Sequence, residues 1–274
     1  MRRALVIVAA MSLTFGIARA TPTVTVGNHT LLPGLANQSF TIPVSGGDAV
    51  QGENVDVQVA DGGPPAGGTI VGPAITNLDL VTGTIFTPNN SGQQNPPPNQ
   101  IVPQFRNASV VTTGSGTVSA SGTLASVTFD TTPASAGVYA LRLGNTLNGS
   151  TDFAGVNANI TNGNLIVLYP GDANMNGAVD FSDLLTHAQH YGSTSGSTFA
   201  TGDFNFDGSV GFDDLLLLAQ NYGKSLNLNP PPPASPALSA AAVPEPASVF
   251  VVFVASLCLC LRRTQRMATP PGPG

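Results

Sequence analysis

Tryptophan is missing from the 274-residue chain, cysteine occurs twice, and lysine and arginine together number nine. Without tryptophan there is no indole platform on which a sugar ring could stack. So few bases cannot neutralise a run of phosphates, which excludes a nucleic-acid binder. Both cysteines, Cys258 and Cys260, sit in an apolar run near the C-terminus. Everything upstream is therefore without disulfides and without a thiol nucleophile. Charged residues make up 9% of the chain, against roughly 25% in ordinary soluble domains. What is abundant is glycine, with 31 residues, and proline, with 23. Both break helix interiors, so a helical bundle is excluded and a β-rich, loop-rich chain is expected.

The bases cluster at the ends. Thr21 to Val243 holds 14 acids and 3 bases, a balance of −11. Residues 1–20 combine Arg2 and Arg3, an apolar run and Ala18-Arg19-Ala20, the pattern of a secretory signal peptide. At the other end Pro244-Glu245-Pro246 precedes the apolar Ala247–Leu261 and the cluster Arg262, Arg263 and Arg266. That three-part order resembles the PEP-CTERM sorting signal, placed at 244–266 with a tail at 267–274. The resemblance implies processing by an exosortase-type enzyme and contact with the membrane through the apolar helix, at least transiently. The destination it implies is the cell envelope, cell surface or extracellular matrix of a bacterium. Cys258 and Cys260 are read as apolar filler of that helix.

The clearest internal signal is a duplication. Gly171–Gly192 aligns without a gap on Gly202–Gly223, 31 residues further on. Each copy opens with a loop of oxygen ligands and runs into a short amphipathic helix. A hard cation such as Ca²⁺ takes six to eight oxygens, which a loop can supply from positions 1, 3, 5, 7, 9 and 12. In the first loop these are Asp172, Asn174, Asn176, the carbonyl of Ala178, Asp180 and Asp183. In the second they are Asp203, Asn205, Asp207, the carbonyl of Ser209 and Asp214, with Gly211 offering no side chain. Gly177 and Gly208 hold the sixth position, where the chain turns with positive φ. Val179 and Val210 at the eighth are expected to pair the two loops edge to edge. Two calcium sites follow, with affinity at the weaker end of the known range because amides dilute the carboxylates. His187 and His190 are expected on a solvated helix face, since Leu218 and Asn221 replace them in the second copy.

Aspartate at position 12, one helix per loop and Leu-Leu directly after the last ligand resemble the type I dockerin module, over Gly171 to about Leu226. The resemblance implies a partner, a cohesin-like module on another protein. It places the docking face on Phe181, Leu184, Leu185 and Tyr191, and on Phe212, Leu215, Leu216 and Tyr222. The competing reading of these side chains is the small core that the paired helices need.

Upstream, Thr21 to Leu168 alternates as β strands do, in Thr23–Val26, Phe40–Val44, Val55–Val59, Val127–Phe129 and Tyr139–Leu143. Gly, Asn and Pro clusters separate the runs, and Phe86–Phe105 is expected as a long loop or an irregular edge excursion. About eight short strands suit an antiparallel β-sandwich. Gly46–Val50 after an opening strand and the closing Ile160–Val167 give a faint resemblance to cohesin-like sandwiches. Glycoside hydrolysis needs two carboxyl groups flanking the bond. Glu53 has Asp48, Asp56 and Asp61 near it in sequence, but Asp56 is expected to face solvent, and His29 is the one histidine of this region.

The sequence thus predicts a signal peptide (1–20), an antiparallel β-sandwich (21–168), a small α-helical dockerin-like calcium module (169–226), a stiff Pro/Ala-rich linker (227–243) and a sorting signal. The expected function is a non-catalytic envelope or matrix protein that docks through calcium, with no catalytic residue and no organic cofactor. The alternative is a component of an extracellular polysaccharide-degrading or polysaccharide-binding system, binding glycan or carrying a weak O-glycosyl hydrolase activity.

Overall fold

A computed structural model describes residues 20–95, 102–154 and 156–233. The expectations for the signal peptide, bar Ala20, and for the sorting signal with Pro244, Glu245, Pro246, Arg262 and Arg263 lie outside those residues. Among the described residues no helix is long and apolar enough to cross a membrane.

Twelve strands precede two helices. They are β1 (Thr23–Thr25), β2 (Asn28–Leu31), β3 (Gln38–Ser45), β4 (Gly52–Val59), β5 (Ala74–Asp79) and β6 (Phe105–Val111), then β7 (Gly122–Asp130), β8 (Gly137–Arg142), β9 (Asp152–Phe153), β10 (Val156–Asn157), β11 (Asn159–Thr161) and β12 (Gly163–Val167). One sheet has the order β11-β1-β3-β7-β5 and the other β10-β9-β4-β8-β12-β2, with β6 alongside β4. No named strand lies between β5 and β6, where the long loop was expected. The alternation of apolar and polar residues does the assembly: Ile42, Val57, Leu124, Phe129, Leu141 and Leu165 are all fully buried between the sheets.

The sandwich is not wholly antiparallel as expected: β1 pairs with β11, and β2 with β12, in parallel. Both partners change sheet at the same point. Gly27 turns β1 into β2 with φ 77°, and Asn162 separates β11 from β12. The two chains cross so tightly that a Cβ on Gly163 would lie 1.6 Å from the Gly27 carbonyl oxygen. Buried Asn162 fixes the crossing by accepting from the Leu143 and Gly144 N–H groups at 3.0 and 2.9 Å and donating to Gly144 O at 3.0 Å.

β12 is buried on both faces. Leu165 and Val167 join the sandwich core, whereas Ile166 and Leu168 enter a second core with Val179, Phe199, Phe204 and Leu218. That second core belongs to the helical region, formed by α1 (Phe181–His190) and α2 (Phe212–Asn221) with a short 3₁₀ turn at Phe199–Thr201. An uninterrupted apolar run such as Leu165–Leu168 is the pattern of a strand covered on both sides. The helices are thus seated on the outer face of the sandwich through the strand that ends it.

Candidate calcium loops and docking face

Each loop winds around two buried carboxylates. In the first, Asp172 accepts from the Asn176 and Gly177 N–H groups at 3.1 and 2.9 Å. Asp183 accepts from Asn174 N–H at 3.2 Å and from Asp180 N–H at 2.9 Å. The second loop repeats this: Asp203 accepts from Asp207 and Gly208 N–H at 3.1 and 2.9 Å. Asp214 accepts from Phe204, Asn205 and Gly211 N–H at 2.8, 3.1 and 2.9 Å. Gly177 and Gly208 both have φ 88°, the positive value the sixth position requires.

The remaining ligand candidates sit on the rim. Asn176 Oδ1 accepts from Ala178 N–H, and Asp207 Oδ1 from Ser209 N–H, each at 2.8 Å. Asn174 and Asn205 accept from Asn176 and Asp207 N–H, each at 3.0 Å. Asp180 turns outward and caps α1, its Oδ1 accepting from the N–H and hydroxyl of Ser182 at 2.8 and 2.7 Å. Gly211 cannot do this for α2. Accordingly, among the described residues, no three His, Cys, Asp or Glu side chains gather as a metal cluster.

The electrostatics of the first loop suit a cation. Burial pushes the Asp172 carboxyl up to about 6, and the Asp183 charge pushes the same way, against the Gly177 hydrogen bond. Among the described residues no hydrogen bond to the four buried carboxylates comes from a lysine or arginine. Carboxylate, amide and carbonyl oxygens without nitrogen or sulfur are the donor set of a hard divalent ion.

Two expectations need correction. The loops do not pair with each other through Val179 and Val210. Val179 exchanges hydrogen bonds with Gly223 and Lys224 (2.8 and 3.0 Å), and Val210 with Gly192 and Ser193 (both 2.9 Å). Each loop is zipped to the exit of the other copy's helix, because Gly192 and Gly223, with φ 88° and 81°, turn the chain back there. Nor does His187 face solvent. It is 1% exposed, stacked beside Phe204, with Nε2 3.2 Å from Gly211 O. Its counterpart Leu218 is 2% exposed; the place is a core position filled by different residues. His190, partly exposed, turns Nδ1 to Thr186 O at 2.8 Å.

The proposed docking residues divide. Phe181, Leu185 and Tyr191 are 65, 48 and 56% exposed, and their counterparts Phe212, Leu216 and Tyr222 are 66, 46 and 51% exposed. Leu184 and Leu215 are half-buried, Leu184 against the second core. The same three positions are thus large, apolar and exposed in both copies.

Of the sandwich carboxylates, Asp152 on β9 lies near Asp56: burial, then the Asp56 charge, raises its carboxyl. Glu53 points into the core with Val55 and Val57, and neither of its oxygens has a hydrogen-bond partner. Burial raises its carboxyl well above the usual range. Asp56 lies on the opposite face of the same strand, yet is 1% exposed rather than facing solvent. Asn107 donates to it from β6, and Thr146 and Asn148 cover it at 3.3 Å. Asp61 instead holds its own loop, accepting from Thr69 N–H at 2.6 Å. His29 is stacked on Phe40, ring centres 3.5 Å apart. A groove of about 550 Å³ beside β4 and β8 is lined by Asp61, Ile70, Val138, Tyr139, Arg142 and Leu147, among others. Nothing in the sequence announces it, since its walls come from four separate segments.

No protein-family model and no curated protein matches the chain. Among solved structures it is similar to a non-cellulosomal cohesin from the archaeon Archaeoglobus fulgidus, at 14% identity and TM-score 0.36, over 56% of this chain and 96% of that one. It is also similar to a type III cohesin module from the ScaE cell-surface anchoring scaffoldin of Ruminococcus flavefaciens, at 11% identity and TM-score 0.37, over 54% and 88%. A third is CaCohA2 from Clostridium acetobutylicum, at 17% identity and TM-score 0.36, over 54% and 90%. The first two are described as cohesins.

Proposed function

We propose that the chain is an exported, non-catalytic protein of the bacterial envelope or matrix that docks onto a partner module through a calcium-loaded helical face. The observation that carries this reading is the repeated triplet Phe181, Leu185, Tyr191 and Phe212, Leu216, Tyr222, exposed beside two loops wound around buried carboxylates. Calcium in each loop would be held by Asp172 and Asp183, or by Asp203 and Asp214, with Asn174, Asn176, Asp180, Asn205, Asp207 and the Ala178 and Ser209 carbonyls completing it. The ion would neutralise buried charge and stiffen the base from which the helices present their apolar residues. The partner is a cohesin-like module; exosortase-type processing at Pro244-Glu245-Pro246 would deliver the chain to the surface. Calorimetry of the full chain against calcium, then against a panel of cohesin modules with and without calcium, tests it. Absence of bound calcium, or docking indifferent to chelation, rejects it.

A second reading, polysaccharide binding, has the groove at Tyr139 and Arg142 in its favour, where a tyrosine and charged side chains line an open cleft. A glycan array probed with Tyr139→Ala beside the natural chain decides it.

A further inference from the structure

The chain leaving α2 crosses the turn of the first loop and then lies down on the sandwich. Leu226 N–H donates to Gly177 O at 2.7 Å, and Ser225 bridges Ala178. A Cβ on Gly177 would stand 2.8 Å from Leu228 Cγ, so the turn is the surface on which this strap rests. Beyond it, Asn28 Nδ2 donates to Pro230 O at 3.2 Å and Asn164 Nδ2 to Pro231 O at 3.1 Å. A second bond, from Asn164 Nδ2 to Asn28 Oδ1 at 2.9 Å, holds the two amides together. A proline run offers carbonyls but no N–H, so donating amides are its natural partners. Pro230 and Pro231, expected as part of a stiff linker, are bonded to β2 and β12.

Among the described residues the second loop has no such cover. A Cβ on Gly208 would meet nothing within 4 Å. Two loops that match in sequence therefore differ in what rests on them.

We infer that the first loop is a latch for the linker: calcium there fixes the Gly177 turn that seats Leu226 and Leu228, and its loss frees Leu226 to Pro231 from the sandwich. The inference rests on the calcium reading above. The turn exists because Asn176 and Gly177 point their N–H groups at Asp172, and Asp172 and Asp183 are buried carboxylates that repel one another without a cation. Freed, these residues would lengthen the tether to whatever follows Pro233 by about 3.1 Å for each residue released. The second loop, carrying no strap, would exchange its ion without moving the linker.

The test is amide hydrogen exchange on the full chain, with calorimetry on the same sample counting bound calcium. With calcium, Leu226 N–H should be protected. Chelation, or Asp172→Ala, should speed its exchange by about tenfold or more, while Asp203→Ala leaves it unchanged. Val210 N–H, bonded to Ser193 O at 2.9 Å, reports the other half of the module. Leu226 still protected in Asp172→Ala with one ion lost overturns the latch and leaves the calcium reading standing. Chelation empties both loops and exposes Val210 as well, so the single variant decides: Val210 deprotected as much as Leu226 in Asp172→Ala shows collapse of the whole module and also overturns the latch. A natural chain that binds no ion removes both.

Discussion

His187 and Leu218, 31 residues apart, fill the same place in the two repeats, and both are buried. Replacing His187 by leucine should therefore preserve the module within about 1 kcal/mol. Replacement by alanine opens a cavity beside Phe204 and should cost about 2 kcal/mol or more. Thermal unfolding of the calcium-loaded chain, followed by helical circular dichroism, separates the two variants.

Glu53 is a carboxyl in an apolar core without a partner. Its folded pKa is raised, so it keeps its proton in the folded chain at pH values where the unfolded chain, with the usual 4.5, has lost it. Sandwich stability should then fall as the pH rises above that value, until the folded carboxyl also ionises. Glu53→Met should remove this slope and stabilise the sandwich by about 2 kcal/mol at neutral pH. Denaturant unfolding monitored on a strand signal at two pH values checks both parts; equal slopes in variant and natural chain would contradict the assignment.

Asp172 gives the helical module the same sign in the absence of metal. With its carboxyl pushed from the usual 3.8 up to about 6, metal-free stability is greatest below the lower value and is lost as the pH rises through the higher. Calcium should reverse this, because the ion needs the ionised form. Under chelation at neutral pH the helical signal should fall while the β signal stays. A helical signal indifferent to chelation and to pH would show ordinary turns.

The exposed triplets are equivalent, so either one could serve a partner. Phe181→Ala alone should weaken docking little, whereas Phe181→Ala with Phe212→Ala should cost about 100-fold or more in affinity, as loss of aromatic anchors does. Neither phenylalanine is in a core, and melting temperatures should be unchanged.

Strand alternation and loop spacing were legible because each is local. Ile42 and Val44 mark the buried face of β3 within a few residues, and Asp172 to Asp183 form one continuous loop. What was not legible depends on distant partners. Asp56 reads as a solvent-facing strand residue until Asn107 and the segment at Thr146–Asn148 cover it. His187 reads as a solvated helix residue until Phe204 and the Gly211 carbonyl close over it. The parallel pairing of β1 with β11 follows from Gly27 and Gly163 passing each other, which no periodicity records. The closing run Ile160–Val167 was legible as a strand, but not that its second face would be covered by the helices.

The exchange of edges through Val179 and Val210 sets the smallest piece that can fold. A single copy cut from the chain keeps its whole ligand loop and its helix, yet loses the segment that exchanges hydrogen bonds with its valine. Duplication counts one unit; cooperativity counts two. A half-module should remain a peptide in solution at any calcium concentration, and two separate halves, mixed, should find each other as complementary fragments do.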